Sequence, residues 1–127
     1  MDNFYARSVF FVKDAERSIE FYTKTLGFAL DWYNDGVFQV SLHGFELILN
    51  QTGPKTKDRP GHGRLFVGLE EDQAGVIRKH IEDKGIATTV VNWGNPTLVI
   101  RDVDENELFF WYSGKERAHL QTRLEGA

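Results

Sequence analysis

The spacing of apolar residues changes within the first thirty positions. Residues 9–12, VFFV, form a short β-branched and aromatic run that is typical of a buried strand. Asp14 then stands where a helix N-cap is expected. The next apolar residues recur at spacings of four, three and four, on one helix face: Ala15, Ile19, Tyr22 and Leu26. Gly27 is the expected helix stop, so the pattern predicts a strand, a helix and, from Phe28, another strand.

Turn signals divide the following residues into three strands. Asn34-Asp35-Gly36 is a strong hairpin sequence, because glycine, asparagine and aspartate tolerate the positive φ that a tight turn needs, and His43-Gly44 is read as a second turn. The predicted strands are 28–33, 37–42 and 45–50. The first part of the chain therefore has the predicted order β-α-β-β-β.

The same order of elements recurs further along the chain. A strand at 64–69 is followed by acidic residues at a helix start, where the helix dipole favours negative charge. Gly85 ends that helix, and strands are predicted at 86–91, 97–101 and 107–112. Gly85 and Gly94 follow Gly27 and Gly36 by the same 58 residues. The repeated order and the shared offset indicate a duplicated unit.

These elements predict one α+β domain over 1–127, built from two tandem βαβββ modules. Module 1 covers about 5–50 and module 2 about 64–112. The connector, 51–63, reads QTGPKTKDRPGHG and has almost no apolar residue, as expected of a solvated segment. For the C-terminal tail, 113–127, a short helix and disorder both stay open.

Composition excludes several kinds of function but does not identify one. The 127 residues are 41% hydrophobic and carry a net charge of −4, which disfavours nucleic acid as a partner. There is no cysteine, so thiolate metal sites and thiol nucleophiles are excluded. No apolar run reaches membrane-spanning length and the first residues do not resemble a signal peptide. We therefore expect a cytoplasmic protein with no membrane partner.

The opening motif resembles that of the vicinal-oxygen-chelate superfamily, which includes glyoxalase I, extradiol dioxygenases and the fosfomycin- and bleomycin-resistance proteins. The resemblance covers roughly residues 5–112 and rests on 12–14 (VKD), Ser18, Phe21-Tyr22 and 26–28 (LGF), together with the duplication. It implies that the sheets of the two modules curl into a cup around a ligand, with the helices outside. The cup is often completed across a homodimer, sometimes with exchanged modules.

Metal-dependent members of the superfamily carry ligands on the first and last strands of each module. The resemblance places these positions at Arg7, Glu46, Arg64 and Phe109. Arginine stays protonated and phenylalanine has no donor atom, so only Glu46 is a ligand type. This predicts no metal and no other cofactor.

The histidines and the acidic turn give weaker signals. His62 is worth keeping as a candidate, because it lies two residues before Arg64 and an alignment slip would bring it to that position. The turn 102–106, DVDEN, copies the start of a calcium loop but lacks the glycine that the loop requires next. It also departs from the Asp-Pro-x-Gly-Asn turn frequent in the superfamily, at Val103 and Glu105.

Strand alternation, phased on the superfamily's ligand positions, predicts which side chains line the cup. The candidate ligand-binding residues combine charged groups with aromatic ones: Arg7, Trp32, Glu46, Ile48, Asn50, His62, Arg64, Phe66, Trp93, Phe109 and Trp111. We expect Glu46 to pair with Arg7 or Arg64; any excess positive charge then needs an anionic ligand group or a further acid such as Glu107. The alternative is that Phe66, Phe109 and Trp111 only fill a collapsed core.

Two functions from different classes follow. The first is a metal-free protein, similar to bleomycin-resistance proteins, that binds or sequesters a small aromatic or cationic molecule and forms a homodimer. The second is an enzyme of the superfamily, a lyase, isomerase or dioxygenase, with Glu46 as the catalytic general base. A partner subunit with a vestigial cup is a third, weaker option.

Overall fold

A computed structural model of the chain describes residues 6–53, 59–112 and 114–126. Within them lie eight strands and three helices. The first module comprises β1 (Ser8–Val12), α1 (Ala15–Glu20), β2 (Ala29–Asn34), β3 (Val37–Leu42) and β4 (Phe45–Gln51). The second comprises β5 (Arg64–Leu69), α2 (Glu71–Lys84), β6 (Thr89–Asn92), β7 (Pro96–Arg101) and β8 (Glu107–Tyr112), and α3 (Gly114–Glu125) follows it.

Helix α1 begins and ends much as its sequence predicts. The Asp14 carboxylate accepts a hydrogen bond from the Arg17 amide at 3.2 Å, which caps the first turn. After Glu20 the helix widens into a π-helical turn, Phe21–Thr25, and the chain leaves it at Gly27 with φ +82°. The predicted stripe faces the core: Ala15, Tyr22 and Leu26 are buried and Ile19 packs against them.

The two modules have the same sheet topology. The strand orders are β1-β4-β3-β2 and β5-β8-β7-β6, with the first and last strands of each module parallel and the other neighbours antiparallel. This confirms the α+β class and the two βαβββ modules. Each module forms an open four-stranded sheet within the chain, rather than a closed cup.

The predicted hairpin turns are confirmed by the backbone. Asp35 and Gly36 have φ of +49° and +84°, and His43 and Gly44 have φ of +46° and +93°. Positive φ at both central residues is the signature of the tight type I′ turn, whose twist matches that of the flanking strands. These turns fix the register of β3 against β2 and β4.

A single apolar core joins the modules. It contains residues of both sheets, such as Phe10 and Leu49 from the first and Val67 and Phe110 from the second. Its alternation leaves Arg7, Glu46 and Phe66 on the opposite face of their sheets, because successive side chains of a strand point to opposite sides.

Several boundaries differ from the predicted ones. Strand β6 is shorter than the predicted 86–91 because the chain after Gly85 stays irregular until Thr89, although Ile86 packs against the core. The tail forms α3, which is anchored by Leu120, 1% exposed. The predicted connector, 51–63, falls partly on residues 54–58, which lie outside the described residues. No helix in the described ranges has the length and apolarity needed to cross a bilayer.

Candidate functional site

An open cleft of about 490 Å³ lies where β1 and β5 approach each other. Its walls come from three segments: residues 6–8 at the start of β1, residues 44–46 at the turn into β4, and residues 65–68 of β5. Arg7, Glu46 and Phe66 line it, so three of the predicted binding residues share this space. Gly68 widens it, since a Cβ at Gly68 would meet nothing within 4 Å.

A hydrogen-bonded network covers the sheet face beside this cleft. Gln39, 4% exposed, stands at its centre and accepts a hydrogen bond from Arg7 Nη1. Gln39 Nε2 donates to Glu46 Oε2 at 2.5 Å and to Asp31 Oδ2 at 2.8 Å. Ser41 Oγ donates to the other oxygen of Asp31 at 2.9 Å. The predicted pairing of Glu46 with Arg7 is therefore made through the carboxamide of Gln39.

The second module carries a comparable but more basic cluster. Arg64 Nε donates to Glu107 Oε1 at 3.2 Å, and Arg101 Nη2 lies 3.1 Å from Glu107 Oε2. Arg101 also donates to Thr89 Oγ1 at 3.3 Å. The register places Glu107, rather than Phe109, directly opposite Arg64. Two guanidinium groups thus share one carboxylate, which leaves one positive charge in excess.

Three rings form an aromatic platform beside that cluster: Phe66, Trp93 and Phe109. Trp93 stacks on Phe109 with centroids 4.2 Å apart and planes 14° apart, and it lies parallel to Phe66 within 4° at 6.3 Å. The Arg64 guanidinium stands 6.0 Å from the Phe109 centroid. Phe109 is buried, whereas Phe66 and Trp93 are 51% and 48% exposed. A collapsed core of Phe66, Phe109 and Trp111 would hide Phe66, so the exposure of that ring disagrees with the alternative.

The residues at the superfamily's metal positions do not fit a metal ion. Arg7 and Arg64 have no lone pair to give. The register makes Glu107, and not Phe109, the module 2 counterpart of Glu46, and both carboxylates already have protein partners: Gln39 for Glu46, and Arg64 with Arg101 for Glu107. Across 6–53, 59–112 and 114–126, no three histidine, aspartate or glutamate side chains come close enough to hold a metal. The chemistry of this face is therefore that of charged hydrogen-bond donors, carboxylates and aromatic rings.

The acidic turn after β7 holds the modules together and does not form an ion site. Asp102, 6% exposed, accepts two backbone hydrogen bonds at Oδ1, from Asp104 at 2.8 Å and Asn106 at 2.9 Å. Its Oδ2 accepts from Tyr22 Oη at 2.9 Å and from Asn106 Nδ2 at 3.0 Å. Burial raises the pKa of Asp102, although these four donors act in the opposite direction. The resemblance to a calcium loop is therefore misleading here.

Asp104 extends the same tie to α1. It accepts from the Lys13 amide at 3.3 Å, from Arg17 Nη2 at 3.1 Å and from Ser18 Oγ at 3.4 Å. Asn106 Nδ2 also donates to the Phe11 carbonyl at 3.0 Å. The turn thereby fixes β1 against module 2, and with it the cleft between β1 and β5.

The other predicted residues lie apart from the cleft. Ile48 on β4 and Trp32 on β2 lie on either side of Gln39 in the first sheet. Trp32 is 40% exposed, because β2 is the edge strand. Asn50 lies opposite Val37 and Phe11, towards the far end of β1.

The remaining two lie in the second module. Trp111, half-buried on β8, has the Arg117 guanidinium of α3 5.8 Å from its ring. His62 lies beside the end of β1, because its neighbour Gly61 donates to the Phe11 carbonyl at 2.9 Å.

Sequence reasoning missed the residues on the second and third strands of each module. Gln39, Asp31 and Ser41 belong to the network, and Arg101 belongs to the basic cluster. Extending the alternation from β4 to β3 predicts Gln39 and Ser41 on the Glu46 face, and the same step from β8 to β7 predicts Arg101. Asp31 gave no such signal, because a bulge between Leu30 and Trp32 shifts the register of β2.

Comparison with known structures shows the fold. An antibiotic binding protein from Streptomyces sp. CB03234 is 22% identical, with 90% of this chain and 99% of that chain covered and a TM-score of 0.65. An integron cassette protein from V. cholerae is 21% identical, with 90% and 98% covered and a TM-score of 0.64. Lactoylglutathione lyase from Agrobacterium tumefaciens is 14% identical, with 89% and 96% covered and a TM-score of 0.63.

At these identities the likeness concerns the fold and not the activity. A search of curated proteins finds no significant match. The family model that describes the Glyoxalase/Bleomycin resistance protein/Dioxygenase superfamily matches residues 5–110. The match spans both modules, the cleft and the turn that ties them, and the chain belongs to this superfamily.

Proposed function

We propose that the protein binds and sequesters a small aromatic or cationic organic molecule without a metal. The observation that carries the proposal is the aromatic platform, two of whose rings are about half exposed and one of which, Phe66, lines the open cleft. Clefts lined by aromatic side chains and a few placed polar groups are typical small-molecule sites. Sequestration needs affinity alone, so it is compatible with arginines at two of the superfamily's ligand positions.

A ligand screen with chemical recovery tests the proposal. Candidate aromatic and cationic compounds are titrated by calorimetry, and the bound compound is then released and identified by mass spectrometry. We expect saturable binding and an unchanged compound. Nickel, zinc, cobalt, manganese and iron, added separately, should leave the melting temperature unchanged. Stoichiometric binding of one of these ions with a large stabilisation would refute the metal-free proposal.

The alternative is an enzyme of the same superfamily that uses Glu46 as a general base. The position of Glu46 on the wall of the cleft favours it, because a base must reach a bound substrate. The variant Glu46→Gln separates the two functions. If a compound is recovered chemically altered, and Glu46→Gln abolishes the change while affinity is kept, the protein is an enzyme and sequestration is wrong.

We also propose that the protein acts as a homodimer. The edge strand β2 is exposed along its whole length, including Leu30, Trp32 and Tyr33 at 40–52%. An exposed strand edge with unpaired backbone groups and apolar side chains is a surface that a second copy of the chain can cover, and a two-fold axis brings the same edge of both chains into contact.

Light scattering after size-exclusion chromatography tests the dimer. We expect twice the chain mass, and a shift towards the monomer for Trp32→Lys at the exposed edge. A monomer at high micromolar concentration would refute the proposal. Each chain could keep both modules or exchange one with its partner through the connector. Mixing two isotopically labelled populations and measuring the rate at which mixed dimers form distinguishes these arrangements, because exchanged modules should slow it.

A further inference from the structure

We infer that the ligand of the aromatic platform is a planar aromatic molecule that carries an anionic group. This rests on the proposed function and narrows it to one ligand class. The inference joins two features that lie side by side on module 2, the parallel rings and the excess of positive charge. Neither feature alone defines a ligand.

The rings define the shape of the ligand. Phe66 and Trp93 are parallel within 4° and each is about half exposed, so they offer flat apolar surface in one orientation. Trp93 also stacks on the buried Phe109 ring at 4.2 Å, which holds its plane in place. Aromatic groups prefer offset stacking on such a surface, whereas a saturated ring of equal size loses that contribution.

The basic cluster defines the charge. Glu107, the acid shared by Arg64 and Arg101, has a side chain only 16% exposed, while the Arg64 side chain is 64% exposed. A guanidinium has five N–H donors, and the ion pair with Glu107 is made through Nε. The outer edge of Arg64 is thus presented to solvent next to the rings. A carboxylate or sulfonate on the ligand would form charge-assisted hydrogen bonds there.

The cluster also separates this site from the face of module 1. There Arg7 meets Asp31 and Glu46 through Gln39, so the carboxylates exceed the arginine. An anionic ligand is repelled by that face and attracted by the one around Arg64. We therefore assign the anionic group to the module 2 side of the site.

Four bicyclic probes of similar size test the inference by calorimetry on the full-length protein. They are naphthalene-2-carboxylate, naphthalene-2-methanol, 2-naphthylmethylammonium and decahydronaphthalene-2-carboxylate. The aromatic carboxylate should bind at least tenfold more tightly than the ammonium compound and severalfold more tightly than the alcohol or the saturated carboxylate. Tighter binding of the ammonium compound or the alcohol would overturn the inference and leave the proposed function standing.

Charge variants supply a second readout. Arg64→Gln should weaken the aromatic carboxylate about tenfold and the alcohol less than twofold. Glu107→Gln removes the shared acid and should strengthen the carboxylate severalfold, whereas a merely structural ion pair predicts a loss in both variants. Arg123→Gln on α3 is the matched control and should change neither affinity. Equal losses for all probes in both cluster variants would refute the role of charge.

The rings have their own variant. Phe66→Leu keeps an apolar side chain and should weaken both the aromatic carboxylate and the alcohol about threefold, with no effect on the saturated carboxylate. If none of the four probes binds and Phe66→Leu instead dissociates the dimer, the platform is a subunit contact. That result would overturn both the inference and the proposed function at this site.

Discussion

Replacing Asp102 with asparagine tests whether one buried carboxylate holds the two modules in place. Asparagine has the same shape and keeps a carbonyl oxygen for the backbone amides of Asp104 and Asn106, which bond to Oδ1 at 2.8 and 2.9 Å. Its NH₂ group replaces Oδ2 and faces Asn106 Nδ2, a donor at 3.0 Å. Tyr22 Oη, at 2.9 Å, has to turn and accept instead of donating.

The expected cost follows from this change of partners. A buried donor left without an acceptor costs about 1–3 kcal/mol, and bonds to a charged group are stronger than those to a neutral one. Removing the buried charge offsets part of this, because the carboxylate no longer has to be desolvated. We therefore expect a loss of about 2 kcal/mol in the free energy of unfolding at neutral pH. In a chain of this size that lowers Tm by roughly 6–10 °C.

The pH dependence of the loss has a definite sign. Burial raises the pKa of Asp102, so the folded protein holds this proton more tightly than the unfolded chain does. The stability that it contributes is complete below the unfolded pKa, about 4, and is lost as the pH rises through the folded value. The advantage of the wild type over Asp102→Asn should therefore be largest in acid and shrink as the pH rises through that interval.

Urea unfolding at a fixed protein concentration, from pH 3 to pH 8, measures both effects. Asp83→Asn, on the exposed face of α2, is a matched control that should behave as the wild type. An advantage over Asp102→Asn that grows with rising pH would show that the hydrogen bonds, and not burial, dominate this carboxyl group. A loss below about 0.5 kcal/mol at neutral pH would refute its role in joining the modules.

Three further variants test the fold by chemical denaturation. Gln39→Leu leaves Asp31 and Glu46 without their shared donor and should lower the free energy of unfolding by about 1–3 kcal/mol. Adding Glu46→Gln should restore part of that loss, whereas additive losses would refute the network. Gly61→Ala puts a Cβ 2.3 Å from the Asp104 carbonyl oxygen at φ +88° and should destabilise far more than Gly44→Ala, which has a similar φ and open space; equal losses would refute the contact. Glu105→Gly relieves a φ of +69° and should stabilise by about 0.5–1 kcal/mol, whereas Glu105→Ala should not.

Local patterns were enough to predict the modules. The stripe on α1, the cap at Asp14 and the glycines at the ends of α1 and α2 each act within a few residues, and the structure confirms them. The duplicated order of elements then fixed the topology, because each βαβββ unit has few ways to pair its strands. Interactions between residues close in sequence therefore determine this part of the fold.

The side-chain partners on neighbouring strands could not be predicted in the same way. Glu46 was expected to pair with an arginine, yet its 2.5 Å hydrogen bond comes from Gln39 on β3, the strand on the other side of β4 from Arg7. Glu107 was considered as a balancing acid, and its register opposite Arg64 emerges only from the pairing of β5 with β8. A bulge moved Asp31 out of the alternation altogether. Register is a tertiary property, so a pattern along one strand leaves it open.

Duplication has left two sheets with one topology and different surface chemistry. Each module has an arginine at the start of its first strand, Arg7 just before β1 and Arg64 in β5, and an acid on its last strand, Glu46 or Glu107. In module 1 the buried carboxamide of Gln39 is hydrogen-bonded to the arginine and to two carboxylates. In module 2 a second arginine and the exposed rings take the place of that carboxamide. Under the proposed function, we therefore expect the ligand to contact module 2 rather than module 1, because the exposed rings and the solvent-facing guanidinium lie there.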